Sequence, residues 1–443
     1  MATYNQGIVN VGDPGSAASG YHTRRLFNFS DRVADLAPDE SPFFVYLSKV
    51  AKVPTDDPQF RFLEDRTKVS MTDRGFLLAG SHSIPAAGSS LSYTVDTSGG
   101  ASVDWLVKGM VFAVDYTENN SPETIIVRVE SNPVDAGSTT TFQGKTISAI
   151  DGAETGADNA KCQVIGTSYA EGTGAPDVWS EELDNDYGYT QIFKTACEMS
   201  NTARATRYRG YADEFQRVWN LKLREHKVDI ERAMLFGQRA STGGIQYTEG
   251  IAGHVIKNGT AVVDDSALSY SSGAPYFRSS TAAELTYDRI LSDFEVVYDP
   301  ARGGTDSKLA LASLPVLTFF NKLGDGLFLD ASLGHSNNAY KYDVSQKDGR
   351  FGHKVLSIET IHGTMNMVKE PLFRGFSSGF LMMVDLDHVA YRPLVGNGVN
   401  RDTQVQTNVQ SADEDLRKDM ILTEAGLEVS LPETHYLLNL EGV

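Results

Sequence analysis

From 206 to 239 the apolar residues Tyr208, Tyr211, Ala212, Phe215, Val218, Trp219, Ile230, Ala233 and Met234 recur at three- and four-residue steps, and Arg209, Asp213, Arg217, Arg224, Lys227 and Glu231 fill much of the remainder. That periodicity predicts one long amphipathic helix. No proline interrupts it, Gly237 and the stretch 241–244 stop it, and Asp213 with Arg217 makes an i,i+4 ion pair worth roughly a few tenths of a kcal/mol. Thirty-odd residues at about 1.5 Å each reach roughly 50 Å, so the helix is expected to brace several layers rather than to shape an active site.

Around this strut the pattern changes several times. Residues 1 to about 23 are rich in Gly, Ser, Ala and Asn, lack apolar periodicity and read as an arm that partners order. Ser30 can cap a short helix through Leu36, and Pro42 opens a second with Phe43, Phe44, Tyr46, Leu47 and Val50 as its apolar residues. Residues 59–65, QFRFLED, alternate as a strand does, with Phe60 and Phe62 on one face and Arg61 on the other. Residues 101–176 are Thr-, Gly- and Val-rich, with strand-like runs at 106–114, 124–130, 145–150 and 162–167 separated by turn residues. They predict a small β-barrel or sandwich inserted into another element, with hinges at Gly99-Gly100 and 172–176. Residues 189–199 resume an extended pattern that leads into the long helix.

Beyond Gly244 the pattern is mixed α/β. Thr286 can cap a helix whose Ile290, Leu291, Phe294 and Val297 share a face and which ends at Asp299-Pro300. KLALA at 308–312 reads as a buried strand, Ser313 and Pro315 open another helix, and 355–368 reads as a hairpin turning at His362-Gly363. Strands at 380–385 and 388–391 follow, then a β-rich tail at 420–423, 427–431 and 436–440.

Composition narrows the function. The chain has 443 residues, 41% hydrophobic and 22% charged, enough for two or three domains. Cys162 and Cys197 stand far apart, which fits neither a disulfide framework nor a thiolate metal site and points to a reducing cytoplasm. No signal-peptide pattern opens the sequence, and no apolar run is long enough to span a bilayer. The net charge of -19 repels phosphate, which argues against a tight, sequence-reading nucleic-acid binder but not against a container for nucleic acid.

Candidate chemistry is sparse. Residues 375–379, GFSSG, match G-x-S-x-G, but a strand follows the serine where a hydrolase elbow needs a helix. Asp184-Asn-Asp186-Tyr-Gly188 approaches a calcium loop, yet its glycine falls one place early and Thr195 stands where a bidentate Glu is required. His353 and His362 lack companions at ligand spacing, and Gly396-Asn-Gly398 lacks the third glycine of a dinucleotide site. These read as loops and turns, so neither metal nor cofactor is expected, and the chain does not read as an enzyme. Arg24, Arg25, Phe60, Arg61, Phe62, Arg66, Phe215 and Trp219 are the candidate core or inter-subunit contacts.

The order of parts resembles the major capsid (major head) proteins of tailed double-stranded-DNA bacteriophages, the Hong Kong 97-type fold. The likeness rests on Tyr189-Thr-Gln-Ile-Phe193 and Met199-Ser-Asn-Thr202 before the long helix, and on Asp229-Ile-Glu-Arg-Ala233 with Gly237 at its end. Gly250-Ile251, the 355–368 hairpin, Asp385-Leu-Asp387, and Thr423-Glu-Ala-Gly-Leu-Glu428 with His435 extend it. The resemblance implies an α+β fold made of an N-terminal arm (1–55), an extended β-hairpin loop (56–100 and 177–205), a spine helix of a peripheral domain (206–244), an axial α/β domain (245–400) and a return to the peripheral sheet (401–443). The inserted small β-domain at 101–176 departs from the minimal pattern. No Lys and Asn pair matches the family's covalent crosslink. The implied function is a subunit that self-assembles into hexamers and pentamers of an icosahedral phage head enclosing double-stranded DNA. Implied partners are further copies of itself and scaffolding, portal and decoration proteins, with no membrane. Assembly is expected in the host cytoplasm, with a separate scaffolding protein or a trimmed precursor. The alternatives are a phage tail or head-decoration protein and an acidic carbohydrate-active enzyme, whose paired carboxylates only folding could bring together.

Overall fold

The computed structural model describes residues 52–65, 74–80, 82–96, 103–118, 121–135, 140–148, 154–156, 160–180, 182–208, 213–263, 276–300, 304–332, 343–348 and 354–442, together with Phe43, Phe44 and Leu47. The expected arm up to residue 42, with Arg24, Arg25 and the helix that Ser30 would cap, lies outside the described residues, as do Arg66, the Gly99-Gly100 hinge and His353.

The long amphipathic stretch is divided. Ser200 caps a short helix α1 (Asn201–Ala205), and the spine helix α2 begins only at Glu214 and runs to Phe236. Its 23 residues reach about 35 Å rather than 50. Asp213 is the reason for the break. Its carboxylate accepts from the N–H groups of Phe215 (2.9 Å) and Gln216 (3.3 Å), so it caps the helix instead of pairing with Arg217, which binds Glu214. Among the described residues three further α-helices follow, α3 (Ile251–Asn258), α4 (Tyr287–Val297) and α5 (Leu314–Ser332); Thr286 caps α4 through the Arg289 N–H, as its position predicts.

Two sheets form the body of the subunit. In the first, Leu416–Val429 is the middle strand, flanked by Gln191–Ser200 and Val389–Pro393 and also paired with Gln404–Gln406. The second has eight strands, with Tyr276–Thr281, Tyr436–Glu441, Phe380–Val384, Ser307–Ala312 and Thr364–Lys369 adjacent in that order. Both of its faces are covered. Leu309, Leu311, Met382, Val384 and Leu437 face the core shared with α2 and α3, while Ala310, Ala312, Leu381, Met383, Tyr436 and Leu438 face α4 and α5. That double burial explains why KLALA and FLMMV read as unbroken apolar runs. The tail at 401–443 is shared between the sheets: Leu416–Val429 lies in the first, and Tyr436–Glu441 crosses to the eight-stranded sheet, where its mostly apolar residues are buried from both sides.

A third core stands alone. Gly75–Leu77, Lys161–Thr167, Met110–Glu118, Ser121–Val129, Thr140–Ser148 and Ser90–Val95 are hydrogen-bonded in that order. The sheet closes on itself, because Leu78 pairs with Val95 while Ala79 N–H donates to Thr94 (2.9 Å) and Asp96 N–H to Leu77 (2.8 Å). The result is the small barrel foreseen from the turn punctuation. It reaches back to residue 75, into a stretch expected to be plain loop, because without Gly75–Leu77 and Ser90–Val95 it would not close. Phe76, Tyr93, Phe112 and Phe142 fill it, with ring centroids 5.2 to 6.1 Å apart.

The spine helix buries only its second half. Ile230, Met234 and Leu235 lie in the main core beside Phe43 and Leu47, whereas Phe215, Val218 and Trp219 are half-buried. Trp219 is therefore not a core anchor. His226, the first fully covered residue, bridges the two sheet strands beneath it: Nδ1 meets Thr195 Oγ1 at 2.9 Å and Nε2 meets Thr423 Oγ1 at 2.8 Å. Burial keeps this imidazole below its ordinary value.

Met234→Ala, at a fully buried position, should lower subunit stability by about 2–5 kcal/mol, while Leu221→Ala, at 53% exposure, should change it by less than ~0.5 kcal/mol; chemical denaturation of unassembled subunits measures both. The neutral His226 ring contributes stability that is complete above the ordinary value of 6.5 and is lost as pH falls below it. Melting temperature should accordingly drop between pH about 7 and about 5, and drop less in His226→Gln, whose amide keeps both hydrogen bonds without titrating.

Candidate functional site

Gln59–Glu64 and Asp184–Tyr189 pair antiparallel, from Gln59 opposite Tyr189 to Glu64 opposite Asp184, as a two-stranded ribbon between the body and the barrel. Among the described residues no third strand joins it. Such a ribbon is marginal alone, so its order depends on how its root is held.

Phe60 is the wedge at that root. It is 4% exposed, and its ring fills space that Gly188 and Gly426 leave open: a Cβ at either glycine would run into it. The Arg392 guanidinium lies 5.8 Å from the ring centroid. Glu64, buried at the far end of the strand, accepts from the Leu431 N–H at 2.7 Å, and the buried Thr190 hydroxyl donates to Glu424 at 3.3 Å.

Arg239 is the second hold. It donates to Asp186 (2.7 Å) and to the Tyr187 carbonyl, lies 3.3 Å from Glu249, and stacks 4.2 Å over the Tyr187 ring. Burial disfavours both carboxylates, yet Asp186 stays below its usual range through Arg239, and Glu249 through His254, Arg239 and Lys257. One guanidinium thus ties the ribbon to the turn between α2 and α3. Beside Phe60, residues 54–57 and Arg61 line an open polar cleft of about 490 Å³.

Of the candidates read from sequence, Phe60, Arg61 and Phe62 share one ribbon strand, buried, exposed and half-buried respectively. Phe215 lies elsewhere, between the guanidiniums of Arg204 (5.8 Å) and Arg417 (4.5 Å), one turn before the half-buried Trp219 on α2. Gly188, Arg239, Arg392 and Gly426 are absent from the sequence-derived set. The available signal for Arg239 was the Asp184-Asn-Asp186 tract, whose acidic residues belong to a strand rather than to a calcium loop.

The remaining motifs resolve as turns. Ser377 is buried and donates to the Arg374 carbonyl at 3.2 Å, in a 3-10 turn followed by a strand. Asn397 and Gly398, at φ 51° and 77°, form the tight turn between Val395–Gly396 and Val399–Asn400. Among the described residues there is no cluster of three or more His, Cys, Asp or Glu suited to a metal, and no helix is long and apolar enough to cross a membrane.

Solved structures resemble the chain at low identity. A Microbacterium phage Oxtober96 chain is 10% identical, covering 94% of this chain and 96% of its own, with a TM-score of 0.41. The capsid of a native GTA particle is 9% identical, covering 97% and 99%, with a TM-score of 0.40. A Mycobacterium phage Patience chain is 14% identical, covering 62% and 78%, with a TM-score of 0.35. No curated protein matches the sequence. The family model of the SU10 major capsid protein matches residues 7–441, nearly the whole sequence. The chain belongs to the SU10 major capsid protein family.

Proposed function

We propose that this shell-forming structural subunit of a phage head assembles into hexamers and pentamers that close an icosahedral shell around double-stranded DNA. The observation that carries the proposal is the ribbon: it is pinned at its root by Phe60 and Arg239, while among the described residues its outer edges meet no strand. A neighbouring copy of the subunit is the cover such edges call for. The family is structural, and each motif that hinted at catalysis lies in a turn or a strand, which supports a chain without enzymatic activity. Scaffolding, portal and decoration proteins are the further partners of this reading, with assembly in the host cytoplasm.

In the same reading residues 1–55 are the arm, the ribbon is the extended loop, α2 with the Leu416–Val429 sheet is the peripheral domain, and the eight-stranded sheet is the axial domain. The barrel, residues 74–180, sits at the ribbon's tip on the outer surface and braces an adjacent subunit. Its self-contained core supports this, because none of its apolar residues belongs to the other two clusters.

Sedimentation of the protein co-expressed with its scaffold should show very large particles; a strictly monomeric species under every assembly condition refutes shell formation. Replacing residues 74–180 by a short Gly-Ser linker should leave a folded body and lower the temperature at which shells dissociate, measured by calorimetry. An unfolded body, or unchanged shell stability, refutes the bracing role. Arg239→Gln should speed amide exchange in Asp184–Tyr189 by roughly tenfold or more while leaving Ser307–Ala312 unchanged, since charged hydrogen bonds are lost only at the root.

A further inference from the structure

Two carboxyls meet in the main core. Glu231 on α2 is fully buried, and Glu370, just after Thr364–Lys369, is buried against it. One oxygen of each has a backbone partner: Glu231 Oε1 accepts from the Phe43 N–H at 2.8 Å, and Glu370 Oε1 from the Leu372 N–H at 3.1 Å. The other oxygens, both Oε2, are buried with no partner. The two side chains lie within hydrogen-bonding reach of each other.

Two acceptor-only carboxylates cannot satisfy one another in a site closed to water, but one proton held between them satisfies both orphaned oxygens at once. We propose that a proton shared by Glu231 and Glu370 is the latch that seats the segment carrying Phe43, Phe44 and Leu47 on the spine helix, and that loss of the proton unseats it. Phe43 and Leu47 are buried in the main core, Phe44 packs edge-on against Tyr391 at 5.7 Å, and Glu231 supplies the acceptor for the segment's first described amide.

The groups facing the pair bear this out. Glu231 faces the Glu370 carboxyl and the amides of Phe43 and Phe44; Glu370 faces the Leu372 amide and Glu231. Among the described residues, the groups that act most on the pair include no cation to neutralise a second negative charge. Burial first, then Glu370, raises Glu231, and burial likewise raises Glu370 against the opposing pull of the Leu372 amide. Both lie above the ordinary carboxyl value of 4.5, so the seated state binds more protons than the unseated one. Seating is fully favoured below that value and weakens as pH rises through the raised values. This direction opposes that of His226, which weakens the body as pH falls.

Hydrogen–deuterium exchange of the full-length subunit tests the latch, followed in peptides covering 43–47 and corrected for the intrinsic pH dependence of exchange. Protection of this segment should fall by roughly tenfold or more between pH about 6 and about 10 while Ser307–Ala312 stays protected. In Glu370→Gln, and independently in Glu231→Gln, an amide supplies the missing hydrogen at every pH, and protection should remain flat. Constant protection in the wild-type chain, a fall shared by Ser307–Ala312, or an undiminished fall in the folded variants would each overturn the proposal. Two isosteric variants keep the test decisive if one fails to fold.

Discussion

The register of Leu416–Val429 is the constraint on which the subunit depends. Gln191–Ser200 bonds one edge, Val389–Pro393 and Gln404–Gln406 share the other, and each side chain between is committed to a partner in a different part of the molecule. Thr423 meets His226 from the spine helix, Glu424 meets Thr190, Gly426 leaves room for Phe60, and the Leu427 N–H donates to Thr248 after the helix ends. A one-residue slip would turn Ile421, Ala425 and Leu427 away from the core and break all of these contacts together. Helix, ribbon root and sheet are therefore positioned by a single alignment.

Pairing capacity is distributed unevenly across the molecule. The barrel's main sheet closes on itself, so among the described residues its six main strands pair on both sides and meet neighbours mostly through side chains. The ribbon keeps its edges, placed between two well-packed bodies, and like the outer strands Thr260–Val263 and Asp343–Asp348 of the eight-stranded sheet it leaves main-chain groups able to pair with another chain. A net charge of -19 opposes indiscriminate contact with polyanions and leaves specificity to shape and to these edges.

Much of the fold was legible where local chemistry decides it. The Thr286 cap, the buried KLALA strand, the 355–368 hairpin and the Asn397-Gly398 turn depend on neighbours in sequence, and each was found where it was expected. The failures involve closure and competition. Apolar periodicity could not show that Asp213 would cap α2 and divide the long stretch, because capping and an i,i+4 ion pair draw on the same carboxylate. The barrel's true start was hidden because Gly75–Leu77 is three residues long and gains meaning only from strands that lie far along the chain. Of the site, Phe60 was legible as an apolar residue on an alternating strand. Arg239, Gly188 and Gly426 were not, since one glycine or arginine carries no pattern until the ring or carboxylate it serves is placed.

The ribbon also has a mechanical consequence. Six residues of strand span about 20 Å, and the body holds them at three points: Phe60 in its glycine-lined socket near the start, Asp186 on Arg239 midway, and Glu64 on the Leu431 N–H at the end toward the barrel. Sideways force on the barrel is delivered to the body as torque spread over these three contacts. The eight-stranded sheet, with α4 and α5 behind it, has no direct part in resisting that torque. Load on the barrel is thus borne where the ribbon meets the body, not in that sheet.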